Sequence, residues 1–147
     1  MPLYKDTMDL GVAGGIANTE NKNVISRNVE TEAGIPFGAP VVQGTRDKGI
    51  RVTEAGDTEF VGIALLDRTS QDLKANGFVK NETARVLDRG VVWVTVTEAV
   101  NAGDKVAITV ATGGFNKTVD AATSVEMPNA VYDTSAPING LAQLRLK

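Results

Sequence analysis

The sequence predicts a mainly β protein: a single antiparallel β-sandwich, jelly-roll or barrel-like domain with an extended N-terminal arm. Three observations predict this class. The 147-residue chain contains 19 Val and 15 Thr but only 9 Leu, and β-branched side chains suit strands better than helices. Several segments alternate apolar and polar residues, which is the pattern of a strand with one buried face. Turns that contain glycine separate these segments at short intervals.

The N-terminal residues 1–23 are assigned to the arm, and residues 24–147 to the β-rich domain. Small and polar residues dominate the first 23 positions, including the glycine-rich stretch 11–15, so this segment can bury little apolar surface. A frayed chain terminus is the alternative interpretation.

The Ile35-Pro36 pair follows closely after this boundary. Proline forces the residue before it into an extended conformation, and Gly34 and Gly38 flank the pair. Two interpretations fit this pattern: a tight loop within the domain, or a hinge between the arm and the body.

Alternation is clearest at 50–53, 105–110 and 142–147, which are predicted to be strands. Segments 60–66 and 91–97 are also predicted strands, but they are apolar on both faces. Either these are central strands covered on both sides by their own domain, or one face contacts another chain. The second interpretation predicts a homo-oligomer, a dimer or a trimer.

The only tryptophan, Trp93, lies in the second of these two-sided segments. Even-numbered valines form the core face of 91–97, which places Trp93 on the opposite face. It is therefore either an interface residue or a core residue. Helix is predicted only as a single turn at 70–75, before Asn76-Gly77.

Residues that carry catalytic chemistry are scarce. The chain has no Cys and no His, which excludes thiolate or imidazole metal sites, cysteine nucleophiles and catalytic triads that use histidine. The glycine-rich stretch 11–15 matches no phosphate-binding motif. The acidic pairs Glu30/Glu32 and Asp57/Glu59 are interpreted as solvated carboxylates. We therefore predict no catalytic, cofactor-binding or metal-binding residues, and no enzyme.

Charge and hydropathy make two partner classes improbable. The net charge of −3 and the isoelectric point near 5.0 argue against a nucleic-acid partner, because such domains usually carry a basic surface. The longest apolar stretch has about seven residues, far short of the roughly 20 that cross a bilayer. No membrane partner is predicted.

Several blocks along the chain resemble the tailed-phage structural cement proteins, which decorate capsids. The resembling blocks are Gly14-Gly-Ile-Ala17, Gly34-Ile-Pro-Phe-Gly38 followed by Val41-Val-Gln-Gly44, Phe60-Val-Gly-Ile-Ala64, Gly90-Val-Val-Trp-Val94, Ala102-Gly-Asp-Lys-Val106 and Gly140-Leu-Ala142. Their order and spacing carry the resemblance, whereas the stretch 116–136 matches nothing in the family pattern.

The resemblance implies a structural virion protein that binds the outer surface of an assembled phage capsid head and stabilises it. Its expected partner is the major capsid protein. The candidate interface residues are Ile16, Ile35, Pro36, Phe37 and Trp93. The alternatives are a small β-rich enzyme and a binding module of a larger complex.

Overall fold

The computed structural model describes residues 11–18, 20–54, 57, 59–67, 77–120 and 123–147, and the regular elements in these ranges are all strands. The strands are β1 (Asn23–Val29), β2 (Ile35–Pro36), β3 (Pro40–Gln43), β4 (Gly49–Val52), β5 (Phe60–Ala64), β6 (Gly77–Phe78), β7 (Thr83–Thr95), β8 (Lys105–Thr109), β9 (Gly114–Asn116), β10 (Ser124–Tyr132) and β11 (Leu141–Leu146). The predicted mainly β class is therefore confirmed. The predicted helical turn at 70–75 lies outside the described residues.

Four strands before residue 65 and the long strand β7 form a closed barrel. They pair in the order β1-β4-β3-β5-β7, and β7 returns to pair with β1. All of these pairings are antiparallel except β1 with β4, which is parallel. Closure pairs the strand edges that an open sheet would leave free.

The second half of the chain extends the same sheet as β7-β11-β10-β8-β9. This half also curls back on itself, because Phe115 of β9 forms a parallel bridge with Val96, the residue after β7. A 2.8 Å hydrogen bond from the Thr97 backbone N–H to the Phe115 carbonyl oxygen supports this contact. The fold is thus two curled sheets that share β7.

Strand β7, with 13 residues, is long enough to pair with strands of both halves of the fold. Its first part pairs with β1 on one edge and β5 on the other, whereas residues 90–95 pair with β11. The predicted strand at 91–97 was therefore only the second part of a longer element. Gly90, which has a positive φ of 132°, lies at the change of partner.

Two hydrophobic cores explain the segments that are apolar on both faces. In β5, Ile63 belongs to one core and Ala64 to the other, and in β7 Leu87 and Val86 divide in the same way. Successive side chains of a strand point to opposite faces, so a strand between two cores must be apolar on both. Both faces of β5 and of the first part of β7 therefore cover cores within this chain. In the second part of β7, Val92 and Val94 face one core, whereas Trp93 belongs to neither.

Strand β10 lies in the stretch 116–136 to which the sequence analysis assigned no element. Its interior contains Pro128 and Asn129, and Asn129 has a positive φ of 59°. Proline cannot donate to the strand ladder, and the pairing of β10 with β8 shifts register between Glu126 and Val131. This interruption breaks the alternation that identifies a strand from sequence.

A buried tyrosine joins β10 to β9 inside the core that contains Ile63 and Leu87. Tyr132 is 1% exposed, and its hydroxyl donates a 2.8 Å hydrogen bond to the Asn116 carbonyl oxygen. Burial, together with the negative charges of Glu98 and Asp104, raises the pKa of the Tyr132 phenol well above its ordinary value. The phenol therefore stays a neutral hydrogen-bond donor.

The Glu30 carboxylate organises the hairpin that connects β3 to β4. One oxygen accepts hydrogen bonds from the Thr45 hydroxyl at 2.7 Å and the Thr45 backbone N–H at 3.1 Å, and the other accepts from the Arg46 N–H at 3.2 Å. It also packs against Gly44 and Gly49, where any side chain would collide with it. The hydrogen bond from the Thr45 hydroxyl is the main cause that lowers the pKa of Glu30.

We expect Tyr132→Phe to reduce the free energy of unfolding by about 1–2 kcal/mol, because it leaves the buried Asn116 carbonyl without this donor while keeping the ring. Urea denaturation measures the effect as a lower midpoint at an unchanged slope. An unchanged midpoint would show that the hydroxyl contributes nothing to stability.

We expect Glu30→Gln to lower the thermal midpoint at pH 7, because the amide NH₂ would face the Arg46 N–H. The folded-state pKa of Glu30 lies below the unfolded value of about 4.3, so its stabilisation is present above that value and is lost as the pH falls through the folded pKa. The difference between wild type and variant should therefore shrink as the pH falls through the folded-state pKa.

Glu126→Gln, an exposed glutamate in β10, is the matched control for the loss of one negative charge. A difference between wild type and Glu30→Gln that stays constant from pH 7 to pH 3 would contradict the assignment to the ionised carboxylate.

Candidate interaction surface

The structure separates the three candidate interface residues of the Ile35–Phe37 loop. Ile35 is 1% exposed and Phe37 is 8% exposed, and both belong to the core of the first barrel. The Phe37 ring meets Phe78 edge-on, with centroids 5.0 Å apart. Pro36, between them, is exposed. The proline is therefore the residue of this loop that a partner can reach, while its neighbours anchor the loop from below.

Trp93 lies on the outer face of β7, half-buried between the exposed Thr95 and the buried Val92. Its indole packs against the backbone of Gly11, where an added β-carbon would lie 2.3 Å from the ring. Only glycine allows this approach. The N-terminal segment of the same chain therefore covers part of the Trp93 ring, and the rest remains accessible.

Residues 14–17 run along β7 and continue the line of β1. The Gly14 N–H donates to the Trp93 carbonyl oxygen and the Trp93 N–H donates to the Gly15 carbonyl oxygen, both at 2.9 Å. Ile16, half-buried, forms an antiparallel bridge with Val92. These hydrogen bonds attach residues 14–17 of the predicted arm to β7 of the same chain. The boundary at residue 23 stays a prediction.

Gly14 brings this segment and the Ile35–Phe37 loop together. Its φ is +84°, and a β-carbon there would lie 2.8 Å from the Gly38 nitrogen and 2.9 Å from the Leu66 nitrogen. The Leu66 N–H donates to the Gly14 carbonyl oxygen at 2.9 Å. Glycines at 14 and 38 thus allow two backbones to meet where a side chain would separate them.

A groove of about 450 Å³ opens where these parts meet, between the two curled sheets. It brings together Pro36 and Phe37 from the loop, Ala13 from the N-terminal segment, Thr95 at the end of β7, and Thr97 two residues later. Trp93 and Ile16 do not line it. Sequence reasoning missed Thr95 and Thr97, although their place beside Trp93 on one face follows from strand alternation.

One carboxylate of each acidic pair considered in the sequence analysis, Glu30 and Asp57, has hydrogen-bond partners within the chain. Glu30 binds the hairpin backbone as described above, and Asp57 receives two hydrogen bonds of 2.9 Å from the Arg51 guanidinium. The Arg51 hydrogen bonds are the main cause that lowers the pKa of Asp57. A general acid needs the opposite shift, so these two carboxylates are not poised for acid catalysis.

The described part of the chain lacks two further features. It contains no group of three or more Asp, Glu, His or Cys side chains placed to hold a metal ion. None of its elements is a helix long and apolar enough to cross a membrane.

A group of three charged side chains lies near the C-terminal end of β11, away from the groove. The Arg145 guanidinium donates two 3.0 Å hydrogen bonds to the Glu20 carboxylate. It also donates to both carboxylate oxygens of Asp133, at 3.3 and 2.9 Å. The hydrogen bonds to Asp133 and Glu20 raise the pKa of Arg145, and those from Arg145 lower the pKa of Glu20. This ion group ties the segment before β1 to β11.

Comparison with known proteins identifies the family. The family model described as "Structural cement protein (E217 gp24/Pam3 gp6)" matches residues 2–147. Among solved structures, a chain of "The capsid of Myoviridae Phage XM1" matches with a TM-score of 0.78 and 19% sequence identity, covering 99% of this chain and 94% of that chain. No curated protein sequence matches significantly. Because the family model spans almost the whole sequence, this chain belongs to the phage structural cement protein family.

Proposed function

We infer that this protein is a non-enzymatic component of the phage virion that binds the outer surface of the assembled capsid head and stabilises it. The observation that carries this inference is the family match over residues 2–147. The similarity in fold to a chain from a phage capsid over 99% of this chain supports it. The major capsid protein is the proposed partner.

Stabilisation of the shell follows from mass action. A protein that binds the assembled lattice, but not its dissociated subunits, favours the lattice by its own binding free energy. Such a protein needs a stable body and a complementary surface, and no catalytic group. The structural use of Glu30 and Asp57 described above is consistent with this role.

The proposed contact surface includes Pro36, Trp93 and Ile16. Pro36 is exposed, and Trp93 and Ile16 are half-buried, so each retains area that a partner can cover. Ile35 and Phe37 complete the candidate set by holding the Pro36 loop in place from the core. Tryptophan is enriched among the residues that dominate binding energy at interfaces.

Two finer parts of the proposal concern assembly. Residues 1–23 are proposed to act as an arm that contacts a neighbouring subunit on the shell. A dimer or trimer is also proposed. Both faces of β5 cover cores of the same chain, whereas the face of β7 that carries Trp93 keeps area that another subunit can cover. Light scattering at micromolar concentration tests the oligomer, and a monomer in solution would contradict its assembly there.

The test of function uses capsid shells that lack this protein. Adding the purified protein should give saturable binding and raise the temperature at which the shells dissociate. Cryo-electron microscopy of the decorated shells should place the added density on the outer surface. Shells that neither bind the protein nor gain stability would overturn the proposed function.

We expect Trp93→Ala to fold but to bind shells more weakly. Partial cover by Gly11 makes the loss of stability smaller than the roughly 3–5 kcal/mol typical of a buried aromatic residue. Loss of an interface tryptophan weakens binding by about 2 kcal/mol or more, which is roughly thirtyfold. Occupancy on shells and the urea midpoint are measured together.

Thr83→Ala, an exposed position at the start of β7, is the control and should leave both values unchanged. Unchanged occupancy of Trp93→Ala would exclude Trp93 from the interface. A collapsed urea midpoint would identify it as a core residue instead.

A further inference from the structure

A cleft of about 580 Å³ at one end of the second sheet gathers positive charge on an otherwise acidic protein. Arg89 from β7, and Arg145 and Lys147 at the end of the chain, line it together with one acid, Glu20. We call it the basic cleft. Lys22 lies at its edge, because a β-carbon on Gly90 would come within 2.9 Å of the Lys22 β-carbon.

These cations converge because of the strand register. Leu146 pairs with Gly90 and Arg145 pairs with Val91, which places the end of β11 beside the point where β7 changes partners. Arg89 and Lys147 are exposed and form no ion pair with any residue in the described ranges. Net charge across the whole chain is −3, so this concentration of unpaired cations is local.

The charge pair between Arg145 and Glu20 shows which chemistry the basic cleft accommodates. The Arg145 guanidinium meets the Glu20 carboxylate through two parallel 3.0 Å hydrogen bonds, the geometry in which arginine recognises carboxylates. Asp133 holds the same guanidinium from another side, which restricts its orientation. The Glu20 side chain is 45% exposed, so an incoming carboxylate can approach and replace it.

We propose that the basic cleft is a docking site for an acidic segment of the capsid protein, and that Glu20 occupies the place of the partner's carboxylate in the free protein. This inference rests on the proposed function and names the surface and the chemistry of the contact. The carboxylate already bound to Arg145 favours an acidic polypeptide over a nucleic acid, as does the net negative charge of the chain.

The first experiment measures binding of wild type and charge-reversed variants to shells that lack the protein. Arg89→Glu combined with Lys147→Glu should reduce affinity at least tenfold, and added salt should weaken wild-type binding more than that of the variant. Arg85→Glu combined with Lys48→Glu is the control. It makes the same change in net charge at exposed positions on the first barrel, and it should bind with nearly wild-type affinity.

The second experiment uses a hexaglutamate peptide as the probe. Glu20→Gln removes the internal carboxylate and should increase the affinity for the peptide about threefold or more. Glu126→Gln, which removes a charge elsewhere, should not. A single-stranded oligonucleotide that binds more tightly than the peptide, in a manner that depends on Arg89 and Lys147, would overturn the assignment to an acidic polypeptide.

The two proposals fail in different ways. If wild-type protein does not bind shells at all, the proposed function is wrong. If wild type binds shells but the cleft variant and its control bind equally well, the function stands and the docking site is wrong. The urea midpoints of all variants confirm that each one is folded.

Discussion

Hydrogen bonding along both edges of β7 (Thr83–Thr95) is the constraint on which the rest of the structure depends. One edge pairs with β1 and then with residues 14–17, and the other edge pairs with β5 and then with β11. At Val86 and Leu87 both edges of the strand are paired and its two faces belong to different cores, so both residues are apolar. Further along, Val92 and Val94 face one core, whereas Trp93 and Thr95 lie on the outer face.

The shared strand also places the candidate surfaces. Trp93 lies where the N-terminal segment crosses β7, Thr95 and Thr97 lie where the two sheets open into the groove, and Arg89 lies where β7 passes from the first sheet to the second. Surface positions on a strand that is hydrogen-bonded along both edges move little relative to one another. A cement protein benefits from such rigidity, because a preorganised surface loses less conformational entropy on binding.

Charge serves two separate purposes in this chain. The Glu30 carboxylate accepts hydrogen bonds from backbone N–H groups, and Asp57 accepts hydrogen bonds from Arg51. Both stabilise local structure in the barrel. Arg145 forms ion pairs with Glu20 and Asp133, and both carboxylates are partly exposed. Another carboxylate can therefore replace one of them on Arg145. An ion pair at the surface contributes little to stability, but the same pair can be replaced by a partner's carboxylate with little loss to the fold.

The sequence by itself determined the β class and predicted strands at 50–53, 60–66, 105–110 and 142–147, which overlap β4, β5, β8 and β11. It could do so because apolar patterning is a local property that survives without tertiary information. It also led to the cement family through the order of short blocks. It did not reveal β10, because Pro128 and Asn129 interrupt the alternation. Only the tertiary structure decided that β5 and the first part of β7 separate two cores, and that Ile35 and Phe37 are buried while Pro36 is exposed. It also brought Arg89, Arg145 and Lys147 together. Each of these depends on pairing between residues far apart in the chain, and local patterns do not specify which distant strands will meet.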